Sequence, residues 1–150
     1  MAQSAKILME ISSDVIVQLK LSHGAILNCI DQIQPLLRSY PQAKLKLREF
    51  QNQILLHFER QNTILCNELI AFYASDRQIG KIIEFLIHDL KEVKIKTLLF
   101  FDDHPGDMAD IRPKNFIRDF TDFSHIIFVR INMEREHLFP IIEKFLTARR

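Results

Sequence analysis

Apolar residues recur along this chain at steps of three and four, the period of a helix that buries one face, and no stretch alternates as a half-buried strand would. Turn-forming residues interrupt the pattern at SYPQ (39–42), ASDRQIG (74–80) and DDHPGDMADIRP (102–113), leaving four amphipathic segments. The first carries Ile16, Leu19, His23, Ile26, Ile30, Ile33 and Leu37 on its inward stripe. Gly24 weakens that helix by about 1 kcal/mol relative to alanine without breaking it. The second, with Pro41 suited to its first turn, carries Leu47, Phe50, Ile54, His57, Gln61 and Ile64. The third, shortened by Gly80 and the Pro105/Gly106 loop, carries Phe85, His88, Glu92, Ile95 and Leu99. The fourth, with Pro113 suited to its first turn, carries Phe116, Phe120, Phe123, Ile127, Arg130, Glu134, His137 and Ile141, and Pro140 predicts a kink or an end. Four such segments with short or moderate connections predict one all-α domain over residues 1–150, an antiparallel up-and-down four-helix bundle.

Composition narrows the possibilities. At 150 residues and 47% apolar content the chain can bury a full core. Twenty Lys and Arg against nineteen Asp and Glu leave a formal charge of +1, too little to draw the chain to nucleic acid or anionic lipid. The N-terminal MAQSAKILMEISSD lacks the apolar run and cleavage site of a signal peptide, and no apolar run is long enough to cross a bilayer. The two cysteines, Cys29 and Cys66, stand in apolar surroundings without CxxC spacing and read as buried thiols in a reducing compartment. Together these features predict a cytoplasmic protein that engages neither nucleic acid nor membrane.

The chemistry concentrates on the inward stripes. They bear His23, then His57 with Gln61, then His88 with Glu92, then Arg130 with Glu134. Residues four apart share a helix face, so each pair can aim two groups at one point. Imidazole and carboxylate donors suit iron, manganese and zinc, and two histidines with one carboxylate form a facial ligand set. A single buried histidine more often hydrogen-bonds a backbone carbonyl than binds a metal. Three histidines and two carboxylates facing inward are costly to bury unless they satisfy one another or an ion. Elsewhere, DDHPGD with His104 reads as a good turn, His125 falls off the main stripe, and Phe116, Phe120, Phe123 and Phe128 read as core rather than a base-stacking platform. No phosphate-binding glycine loop or Ser/His/Asp arrangement is visible, and the reading leans away from an enzyme.

With these residues in view, the chain resembles the hemerythrin-like, or HHE cation-binding, domains. Their first helix supplies a His, the second a His-x-x-x-Glu, the third a His and the fourth a His-x-x-x-Glu, with the glutamates bridging two irons. Here VRINMEREHLFP offers Glu134 followed by Leu138, Phe139 and Pro140, LLHFERQNTIL offers His57, and His23 and His88 fall in the expected order. The resemblance implies His23, His57, His88 and Glu134 as metal ligands, with Glu92 able to compensate. Two positions depart from it: Gln61 replaces a bridging glutamate and Arg130 a histidine. Two dications about 3.5–4 Å apart need anionic bridges. Glutamine brings no charge and arginine a permanent positive one, placed to pair with Glu134 and with Glu92. The expected cofactor is therefore a single iron ion, for instance on His23, His57 and Glu134, rather than a pair, or no metal at all. The expected function is a regulatory or protein-binding module with an altered centre. A working iron site would instead imply sensing of dioxygen, nitric oxide or peroxide, or iron handling. The Arg130-x-x-x-Glu134 spacing also resembles the anti-sigma regulators of the regulator-of-sigma-D type, which sequester a transcription factor. A surplus apolar face on a long helix would meet either a twin, giving a homodimer, or a different protein.

Overall fold

The computed structural model describes residues 13–104 and 114–148, which are all-α; the readings placed on residues 1–12, on Pro105 and Gly106, and on Pro113 lie outside them. The helices are α1 (Val15–Ile33), closed by a 3₁₀ turn at Gln34–Leu36, α2 (Tyr40–Thr63), α3 (Ile70–Phe72), α4 (Arg77–Asp103), α5 (Phe116–Met133) and α6 (Phe139–Ala148). Wide π-helical turns at Ile64–Leu69 and Glu134–Leu138 join α2 to α3 and α5 to α6, so the described residues form four long helical runs. Helix α1 lies along α2, α2 along α4, α4 along α5, and α1 also meets α6. No helix among the described residues is long and apolar enough to cross a membrane.

Local chemistry accounts for the ends. Pro41 sits in the first turn of α2, where a missing N–H costs nothing. Asp76 caps α4, its Oδ1 accepting from the Ile79 N–H at 3.0 Å. Asn115, at φ 67°, turns the chain into α5 through the left-handed region that asparagine tolerates. Gly24 lies exposed within α1 without interrupting it.

Three of the four stripes fall inward as the periodicity predicts, apart from single positions. The third does not. Phe85, His88, Glu92, Ile95 and Leu99 face solvent, and α4 buries Ile83, Leu86, Leu90, Val93, Thr97 and Phe100 instead. Both stripes have helical spacing, but the buried one carries no charge, and desolvating His88 and Glu92 would have cost more than burying Leu86 and Leu90. Nor is this run short: α4 begins before Gly80 and extends through Asp103, 27 residues in all.

The π turns explain the remaining shifts. A π turn inserts a residue and advances the phase of the stripe, so after Glu134 it is Leu138 that turns inward while His137 goes to solvent. Pro140 has no N–H and its ring crowds the carbonyl four residues back. The widened turn before it relieves that clash, and the helix runs on to Ala148 rather than ending. Cys29 is buried as expected, whereas Cys66, in the other π turn, is exposed. Phe128, at 40% exposure, is a surface residue and not core.

An aromatic layer forms part of the core. Phe50 meets the ring edges of Phe101, Phe120 and Phe123 at centroid distances of 5.9, 6.1 and 5.9 Å, and Phe100 stacks on Phe123 at 4.6 Å. Such pairs contribute about 0.5–1.5 kcal/mol each beyond the area they bury. Two helical turns further along α2 and α5, the lining changes from aromatic to polar at His57 and Arg130.

Candidate functional site

Each helical run contributes to one buried polar cluster: His23 from α1, His57 and Gln61 from α2, Asp89 from α4, and Arg130 with Glu134 from α5 and the turn that follows it. His23, His57, Gln61, Arg130 and Glu134 are all buried, and Arg130 is among the largest side chains so enclosed.

Glu134 is the hub. Its Oε1 accepts from His23 Nε2 at 2.6 Å and from His57 Nε2 at 2.8 Å, and its Oε2 from Arg130 Nε at 2.7 Å. Burial pushes this carboxyl up, but the hydrogen bonds from His23 and His57, with the charge of Arg130, outweigh it and hold the group well below the ordinary carboxylate range. Arg130 uses its remaining edge on Asp89 Oδ2 at 2.9 Å, the Leu86 carbonyl at 3.1 Å and Gln61 Oε1. A planar fork of five donors meets four oxygens on three helical runs, a task lysine could not perform.

The ring protons follow from this network. His23 Nδ1 is buried with no partner among the described residues, so the ring proton sits on Nε2 and goes to Glu134. Gln61 Oε1 receives Arg130, which turns the Gln61 amide nitrogen toward His57 Nε2 at 3.2 Å. That contact is longer than the charge-assisted bond from His57 Nε2 to Glu134, so the latter keeps the proton. Ser22 then donates to His57 Nδ1 at 2.7 Å. The His23 and His57 rings lie 4.8 Å apart, with Phe139 stacked on His23 at 5.5 Å.

Of the candidate ligands read from the sequence, the fold brings together His23, His57 and Glu134, whose donor atoms lie within 4.8 Å of one another. Gln61 and Arg130 join them, as their places in the stripes predict. His88 and Glu92 do not, because they sit on the outer face of α4, paired with each other at 3.3 Å. The acid opposite Arg130 is accordingly Asp89 and not Glu92. Asp89 and Ser22 were not anticipated. Asp89 flanks the uncharged stripe of α4, and choosing that stripe would have found it; Ser22, half-buried beside His23, carried no signal.

A second, smaller pair closes the far end. His104 is buried, and its Nε2 meets Asp119 Oδ2 at 2.9 Å across the ends of α4 and α5; the turn read at DDHPGD lies, from Pro105 on, outside the described residues. His125 is exposed.

No family model matches this chain, and no curated protein or solved structure matches it.

Proposed function

We propose that the chain is a hemerythrin-like, antiparallel up-and-down four-helix bundle whose di-iron centre has been replaced by an arginine-centred charge cluster, and that it serves as a regulatory or protein-binding module. The observation that carries this reading is Arg130, 1% exposed and bonded to Glu134, Asp89 and Gln61 at once. A pair of irons does not fit these residues. The third-helix donors His88 and Glu92 face outward, Gln61 brings no charge, and the guanidinium holds the second oxygen of the one carboxylate that the described residues place between the two histidines. With the cluster's charged groups bonded to one another, function on this reading falls to the surfaces. Sequestering a helical partner, as in the regulator-of-sigma-D-like proteins that share the Arg-x-x-x-Glu spacing, is the kind of binding implied.

The clustering of His23, His57 and Glu134 supports a second reading, one divalent ion held by His23 Nε2, His57 Nε2 and Glu134 Oε1. The donor set fits, and two of the three ligands already have an outer partner, Ser22 for His57 and Arg130 for Glu134. Such an ion would supply Lewis acidity at a site closed to solvent. Its cost falls on His23: metal at Nε2 moves the ring proton to Nδ1, where no acceptor meets it, a penalty of about 1–3 kcal/mol. That penalty places the metal-free cluster first.

Elemental analysis with an ultraviolet and visible spectrum of purified protein tests both. A colourless, metal-free protein is expected. One ion per chain, lost on His57→Ala, would favour the second reading, and two irons per chain would refute the first. The double variant R130H/Q61E should gain metal affinity; unchanged affinity would mean that Arg130 is not the obstacle.

A further inference from the structure

Helix α4 carries two apolar stripes, and among the described residues only one is buried. The other, Phe85, Ile95 and Leu99 at 54, 59 and 59% exposure, lies on the opposite side of the helix, widened by Leu98 at 57%. Scattered surface apolar residues need no explanation, but four large ones aligned on one helix are a patch. Their spacing is informative. Phe85, His88, Glu92, Ile95 and Leu99 alternate in steps of three and four, the a and d positions of a coiled-coil seam, preceded in phase by Lys81. The helix is 27 residues long, about 40 Å, enough for such a seam.

The register of the polar residues selects the occupant. In an antiparallel pair of helices each a position packs against a d position of the other. Placing the twofold axis beside Leu90 sets Phe85 against the partner's Ile95, and His88 against the partner's Glu92. Each of these layers occurs twice, and Leu99 then rests on the aliphatic stem of the partner's Lys81. The His88–Glu92 ion pair, formed within one helix at 3.3 Å, thereby finds the same complement across the seam in both directions. A polar layer of this sort costs some stability and fixes register. Lys91 falls at the rim, where its long stem lets the ammonium reach water.

We propose that α4 is a homodimer seam: two copies of this chain pack their α4 helices antiparallel through Phe85, His88, Glu92, Ile95 and Leu99. This rests on the exposed face alone and is independent of what the buried cluster holds.

Sedimentation velocity over a wide concentration range tests it. The full chain should show a reversible monomer–dimer equilibrium. Ile95→Glu and His88→Glu, both at exposed positions, should each raise the dimer Kd by about tenfold or more while helicity by circular dichroism stays unchanged. His88→Glu sets two carboxylates face to face, so the swap H88E/E92H should restore dimerisation to within about threefold of the unmodified chain. A chain that remains monomeric at every concentration overturns the proposal. So does a dimer indifferent to Ile95→Glu, or a swap that fails to rescue.

Discussion

Replacing Arg130 with methionine is the most incisive perturbation of the buried cluster. The side chain keeps much of its length and apolar stem but loses its charge and all five donors. Glu134 loses its bond at Oε2 while remaining fully buried, and the Gln61 carbonyl loses its donor. Asp89, with its side chain 23% exposed, can turn to water, so the damage concentrates on Glu134. Removing one partner of a buried ion pair costs about 3–5 kcal/mol. With a urea m-value of about 2 kcal/mol/M, the unfolding midpoint should fall by roughly 1.5–2.5 M at unchanged slope. Urea titration followed by far-ultraviolet circular dichroism at neutral pH reads this directly. Glu134→Gln made together with Arg130→Met should recover a sizeable part of the loss, since a cluster stripped of both charges no longer strands one of them. A single variant destabilised by less than about 1 kcal/mol would refute the reasoning, because a fixed charge bonded to three helical runs cannot be deleted so lightly unless the cluster is solvated.

Other outcomes follow from the same structure. Phe50→Ala opens a hole among Phe101, Phe120 and Phe123 and should cost about 3–5 kcal/mol by chemical denaturation, a loss much below that pointing to a core able to collapse around the gap. Asp76→Ala removes the cap on α4 and should cost about 1 kcal/mol, measured the same way, with Asp76→Ser retaining most of the stability. Asp119 is held below the usual carboxylate range chiefly by its hydrogen bond to His104. A depressed carboxyl stabilises fully above its unfolded pKa of about 3.9 and loses that contribution as pH falls through the folded value. The stability gap between the unmodified chain and Asp119→Asn should therefore be largest near neutrality and shrink below about pH 4. A gap independent of pH in urea melts would sink this account.

The amino-acid sequence by itself determined that the described residues are helical, where the turns at SYPQ and ASDRQIG separate the first three runs, and which side chains of the first, second and fourth runs face inward, His137 apart. The reason is that in those runs one apolar stripe clearly dominates, so the hydrophobic effect has a single choice of face. His23, His57, Gln61, Arg130 and Glu134 could be named as neighbours because helical periodicity carries them to the same side as their apolar companions. Only the tertiary structure decided the rotation of α4, where two stripes of equal period compete and burial takes the one without charge. That rotation removed His88 and Glu92 from the interior and put Asp89 beside Arg130. It also decided the phase beyond Glu134, because a π turn is a response to packing and to Pro140 that no local preference announces.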